Sequence, residues 1–199
     1  NNIEFGEYIS VLESNRSLGD RISACNALAL GGESSTKAVP ALINCFNSAE
    51  PLRQNAIYSL ASIGEPAVPQ LIHHLKMAAM DGWSEGAIVM EDVAYALGAM
   101  DEKAICPLLD LLDNDNTWVY VNALFSLGEL GPVAANATAI SKIKCALADG
   151  RHQVVRTALD VVGQWGSSAY GLPSTVEGVY NRSKCEWSKK ELRSWSAGD

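Results

Sequence analysis

Apolar and small residues recur along the chain in a phrase that closes on glycine. It reads ACNALALGG from Ala24, AIYSLASIG from Ala56, VAYALGAMD from Val93, ALFSLGELG from Ala123 and ALDVVGQWG from Ala158. Aligned on Leu28, Leu60, Leu97, Leu127 and Val162, the phrases stand 32, 37, 30 and 35 residues apart. Self-similarity on this scale marks supersecondary units that stack side by side.

Within each phrase the spacing is helical. Positions −4, −3, 0 and +3 about the anchor hold Ala24/Cys25/Leu28/Gly31, Ala56/Ile57/Leu60/Ile63, Val93/Ala94/Leu97/Met100, Ala123/Leu124/Leu127/Leu130 and Ala158/Leu159/Val162/Trp165. These offsets put one apolar stripe on a helix, with a small residue where a neighbouring helix can come close. Gly32, Gly64, Gly131 and Gly166 follow at +4, where a helix C-terminus calls for a left-handed residue. Asp101 stands there in unit three and is expected to cap the next helix.

A second helix is predicted in the first four units, from Val39/Leu42/Phe46, Val68/Leu71/Leu75, Ile105/Leu108/Leu112 and Ile140/Ile143/Leu147. Pro40, Pro69 and Pro107 fall in its opening turn, where a missing amide donor costs little. One hairpin cannot bury two stripes, so neighbouring hairpins must stack into a continuous core. The predicted fold is an all-α superhelix, a solenoid of about five helical hairpins with terminal capping helices. As one domain over 1–199 it divides into an N-terminal cap helix at 1–17, repeats at 18–180, and a C-terminal cap or tail at 181–199. Ile3, Phe5, Tyr8, Ile9 and Leu12 form the apolar side of the first cap. Ser174 to Glu177 and Ser188 to Glu191 each match a capping box, and Leu192 and Trp195 suit a last helix closing the stack. The rhythm breaks between Lys76 and Glu91, read as an ordered loop with Trp83, Ser84 and Glu85 bracketed by Gly82 and Gly86.

Ankyrin's T-P-L-H phrase and the tetratricopeptide landmarks are missing. The phrases EPLRQNAIYSLASIGEPAVPQL, NTWVYVNALFSLGELG and DGRHQVVRTALDVVGQWG each run from an acidic or amide turn through an apolar helix to Gly. In this the chain resembles HEAT repeats, specifically the short HEAT-like units of phycobilisome (bilin) lyase proteins, over roughly residues 18–180. The resemblance implies that Arg21 and Arg53, seven before their anchors, and Arg156, six before, bond to the turn of a neighbouring repeat. Met90 and Tyr120 replace the Arg in units three and four, interrupting any such ladder.

Composition narrows the setting. Of 199 residues 48% are hydrophobic and 19% charged, with 15 Lys and Arg against 23 Asp and Glu for a net charge of −8. That is a soluble globular composition, neither disordered nor collagenous. An acidic chain without clustered Lys and Arg argues against nucleic acid as a partner. No apolar run suits a membrane span and no leader is visible, while the missing initiator Met suggests a trimmed chain. Residues 1–100 hold 5 basic and 11 acidic side chains against 10 and 12 in 101–199, so the negative field belongs mainly to the first half. Cys25, Cys45, Cys106, Cys145 and Cys185 are scattered, with no C-x-x-C pair, which favours a reducing, cytoplasmic setting.

Candidate chemistry is sparse. No nucleophile elbow, phosphate loop, dinucleotide fingerprint or H-E-x-x-H occurs, so no catalytic residue is assigned. Adjacent His73 and His74 point apart on one helix, His152 is distant, and no metal site is predicted. There is also no His-Glu dipeptide, which HEAT-like deoxyhypusine hydroxylases use for iron. Glu91 and Asp92 are expected near a helix start, favouring the macrodipole, and Asp113 to Asn116 as a capping turn. Trp118 and Tyr120 are expected to pack at a seam between repeats.

Second-helix positions between core residues should face the inner, concave side of the stack. They include Asn44, Gln70, His73, His74, Met77, Asp110, Leu111 and Lys142, with Cys45 and Cys145 beside them. Trp83, Ser84 and Glu85 would form a lid. The leading reading is a scaffold or interaction module that binds a protein or peptide there, without a cofactor and with a hetero-oligomer as one form of the complex. The balance is against an enzyme. The resemblance implies one alternative, a bilin lyase-like or bilin-chaperone subunit acting on phycobiliproteins with an open-chain bilin as ligand, with Tyr58, Tyr95, Trp83 and Trp118 as aromatic contacts. A further alternative is the docking or regulatory half of a larger enzyme.

Overall fold

Each repeated phrase folds as a long helix, and each apolar triplet after it as a shorter one. The computed structural model describes residues 2–80, 86–100, 102–172 and 174–179. Within them the helices are α1 (Asn2–Glu13), α2 (Leu18–Gly31), α3 (Val39–Asn44), α4 (Glu50–Ile63), α5 (Val68–Met80), α6 (Gly86–Gly98), α7 (Ile105–Leu111), α8 (Thr117–Glu129), α9 (Ala137–Leu147) and α10 (His152–Trp165). Residues 174–179 form a short α11. No strand occurs among the described residues. Asp101, Cys185, Leu192, Trp195 and the lid residues Trp83, Ser84 and Glu85 lie outside the described residues, as does the 181–199 tail.

Two rows of helices result. α2, α4, α6, α8 and α10 pack in succession as a first row, while α3, α5, α7 and α9 form a second row, each against the next first-row helix. All twelve apolar positions predicted for the second helices are buried, from Val39 to Leu147. Full burial of one such Leu or Ile side chain contributes about 1.5–3 kcal/mol, so each second-row triplet holds its hairpin firmly against the stack.

Local sequence sets the helix ends. Ser17 caps α2 by accepting from Asp20 N at 3.2 Å, and Asn116 caps α8 by accepting from Trp118 N at 2.9 Å. Asn136 does the same for α9 through Ala139 N at 2.9 Å. All four predicted terminal glycines have positive φ. Gly64, at φ 73 and ψ −142, lies not in the left-handed helical region but in the mirror image of extended backbone, which is open only to glycine.

Three seams of the first row are each stitched by a buried side-chain-to-backbone hydrogen bond. Ser59 Oγ donates to Cys25 O at 2.9 Å, joining α4 to α2. Ser126 Oγ donates to Ala94 O at 3.0 Å, joining α8 to α6. Trp165 Nε1 donates to Leu127 O at 3.0 Å, joining α10 to α8. Ser59 and Ser126 both sit one residue before their anchors, where unit three has Ala96.

The structure corrects three local expectations. The break at 76–91 is shorter than the sequence rhythm suggests, because α5 runs on to Met80 and α6 begins at Gly86. Glu91 and Asp92 therefore lie in the body of α6, away from its N-terminal dipole. In the last unit Val161 is fully buried and Val162 only half-buried, since Val161 faces Gly128 across the α8/α10 seam. The Arg ladder that the resemblance implies is discontinuous: Arg21 Nε donates to Leu12 O of α1 at 3.1 Å, Arg53 pairs with Glu50 of its own helix and stands 3.6 Å from Asp92 of α6, and Arg156 is exposed.

Glycines one residue past the anchors test the close packing of this row. A Cβ on Gly98 would stand 2.5 Å from Glu129 Cβ and 3.2 Å from Ser126 O, so α8 would have to shift. A Cβ on Gly163 in α10 would meet nothing within 4 Å. Gly98→Ala is expected to lower stability by about 1–3 kcal/mol, whereas Gly163→Ala raises it by up to about 1 kcal/mol through helix propensity. Urea denaturation of the two variants should move the midpoint in opposite directions.

Candidate functional site

The predicted binding residues come together in part. Asn44, Gln70, His73 and Met77 are exposed, and His74 is half-buried, along α3 and α5. Asn44, Gln70, His73 and His74 line a hollow of about 310 Å³ with Pro40, Ile43 and Pro69. Burial first, and then the neighbouring His73, push His74 below the ordinary histidine range.

A second hollow of about 400 Å³ lies between α7 and α9, lined by Asp110 and Lys142 with Cys106, Leu109 and Asn136. Lys142 is not a free cation, because its ammonium pairs with the Asp113 carboxylate. Leu111 does not belong to the surface: it is 4% exposed and sits in the core, where the i, i+3 spacing from Leu108 carries it inward. Cys45 is likewise buried, its thiol donating to Ala41 O at 3.3 Å; the neighbouring Cys45, and then burial, push the free Cys25 thiol well up.

The proposed aromatic contacts do not gather on this face. Tyr58 and Tyr95 are exposed on α4 and α6, and Trp118 is half-buried on α8, all in the first row. Tyr120 is buried at the seam, with the Arg151 guanidinium 5.0 Å from its ring centroid. Arg151 Nη1 also donates to Thr117 Oγ1 at 3.2 Å and its guanidinium is held by Asp149, so this end of the seam is structural.

A concavity larger than these two hollows lies on the first row and was not anticipated. It spans about 730 Å³ between α4 and α6 and is lined by Glu50, Arg53, Gln54 and Ile57 on one side and by Glu91, Asp92, Tyr95, Gly98 and Ala99 on the other, with Glu129 of α8 closing one end. Asp92 is 6% exposed. Its Oδ2 is buried without a hydrogen-bond donor. Arg53 Nε stands 3.6 Å away, beyond hydrogen-bond reach. Burial first, and then Glu91 and Glu50, raise the Asp92 carboxyl to about 6 against the opposing pull of Arg53. Tyr95 packs edge-on against Phe125 with ring centroids 4.9 Å apart, which fixes its ring at the groove wall.

No signal of the first-helix stripe pointed to this groove, because Asp92 sits one place before an apolar stripe position in a helix whose start was misplaced. Among the described residues no group of three or more His, Cys, Asp or Glu side chains converges to hold a metal ion. No helix among them is long and apolar enough to cross a membrane.

Element order and packing define the class: an all-α solenoid of repeated helical hairpins. No family model matches the chain, and no curated protein does. Among solved structures it is similar to a designed armadillo repeat protein, at 18% identity and a TM-score of 0.37, over 88% of this chain and 86% of that one.

Proposed function

We propose that the protein is a non-enzymatic scaffold that binds an extended segment of a partner protein along its second-row face. The supporting observation is the row of exposed polar and soft side chains from Asn44 through Met77 to Asp110, set beside two hollows and not required by the core. A flexible thioether such as that of Met77, 46% exposed, adapts to varied apolar side chains. A face of mixed polarity suits a peptide backbone with alternating polar and apolar side chains better than a purely apolar helix.

Peptides selected from a displayed random library against the immobilised protein provide the test. The triple variant Gln70→Ala, Met77→Ala, Asp110→Ala should weaken selected peptides by about tenfold or more, and bound peptide should slow amide exchange in α5 and α7. Unchanged affinity, or protection confined to the first row, would sink this assignment. The bilin alternative draws support from the sequence resemblance alone. An unaltered absorption spectrum of phycocyanobilin on titration with the protein would remove it. The docking half of a larger enzyme is compatible with the same second-row surface, and the full open reading frame distinguishes it.

A further inference from the structure

The α4/α6 seam is the one first-row seam without a side-chain-to-backbone stitch among the described residues, and the groove opens there. We propose that this groove is a second, independent binding site, and that its ligand is a basic peptide segment whose guanidinium or ammonium group reaches the open acceptor of Asp92. Three observations carry this. A buried carboxylate oxygen without a donor is costly, and the deficit is met when a charged donor arrives from outside the chain.

The groove is also strongly negative. Glu50, Glu91, Asp92 and Glu129 line it against the single lining cation Arg53, which is shared between Glu50 and, at 3.6 Å, Asp92. Such a field attracts cations and speeds their association.

The third observation is the shape. From Glu91 to Ala99 the groove follows α6 for about 12 Å, at 1.5 Å per residue. Asp92 stands toward one end and Glu129 at the other, too dispersed for a metal ion, and no metal-holding group is found among the described residues. On a polyproline-II backbone, with three residues per turn and about 3.1 Å per residue, two positive side chains three residues apart share one face about 9 Å apart, and their long stems span the rest of that separation. The Tyr95 ring and the aliphatic Ile57 and Ala99 suit the flat guanidinium and the methylene stem of arginine.

The probe is a fluorescein-labelled peptide, Gly-Arg-Ser-Gly-Arg-Gly, followed by fluorescence polarisation at low salt, with the same peptide carrying Glu for Arg as comparison. The expected result is saturable binding of the Arg peptide, none of the Glu peptide, a loss of about tenfold with Asp92→Asn and about threefold with Glu129→Gln. Asp160→Asn, an exposed charge on α10, serves as the control for general acidity and should leave binding unchanged. Circular dichroism and urea denaturation of each variant separate loss of the site from loss of the fold, and Glu129→Gln alters an exposed side chain while keeping an oxygen to accept from Gln164 Nε2, now at 2.8 Å. Equal binding by wild type and Asp92→Asn overturns the proposal, as does an equal loss in all three variants. Spermidine that displaces the peptide at equal or lower concentration, with the same dependence on Asp92, reassigns the groove to a free polyamine and overturns the peptide. The second-row triple variant should bind this probe normally, so either site can fail without the other.

Discussion

Trp165→Ala should unfold one end of the solenoid while leaving the other intact. Trp165 is 1% exposed and the largest fully buried side chain among the described residues. Truncating a buried Trp to Ala costs about 3–5 kcal/mol through lost burial and the cavity left behind. Its indole also supplies a donor to Leu127 O, a carbonyl in the last turn of α8, where intrahelical donors run out. Because a repeat stack is held by nearest-neighbour seams, that loss falls on α10 and the helices against it rather than on the whole chain. Hydrogen exchange followed by mass spectrometry should show fast exchange in α8 to α10 and near wild-type protection in α2 and α4. Trp165→Phe keeps most of the apolar contact and forfeits the donor, so it should cost about 1–3 kcal/mol. Uniform loss of protection from α2 to α10 would mean that the chain unfolds as a single cooperative unit and that the seam picture is wrong.

The repeat itself was legible because its signals are local. All twelve positions that the i, i+3, i+7 spacing picked from Val39 to Leu147 are in the core, and Gly32, Gly64, Gly131 and Gly166 marked the helix ends. Departures occur where a contact between units decides. Val161 replaces Val162 in the core because the α8/α10 seam selects the side of α10 that meets Gly128. Leu111 looked like a surface position by spacing from the wrong neighbours, and its burial follows from Leu108. The α4/α6 groove was invisible for a similar reason. It is made by what unit three lacks, a serine before Leu97, and by a carboxylate that a conventional helix start would have left in solvent.

That carboxylate yields the other large effect, and its sign runs against the usual role of an aspartate facing an arginine. Asp92→Asn should stabilise the protein at pH 7.5. The folded-state carboxyl lies at about 6, above its ordinary 3.8, with burial as the leading cause. Below pH 3.8 the group is protonated in both folded and unfolded chains and costs nothing. Between 3.8 and about 6 the folded chain holds a proton that the unfolded chain releases, so stability falls as pH rises through that window. Above about 6 the folded protein bears the full cost of a buried charge, on the order of 2–3 kcal/mol. Asparagine removes that charge at nearly constant volume, and Arg53 keeps its pairing with Glu50. The variant should therefore gain up to about 2 kcal/mol at pH 7.5, match wild type near pH 3.5, and show a flatter stability profile between them. Urea denaturation at a series of pH values reads this directly. A variant less stable than wild type at pH 7.5 would show that the 3.6 Å approach of Arg53 outweighs burial. A gain in stability paired with loss of the basic peptide would instead mark Asp92 as a residue held at a cost to the fold for the sake of binding.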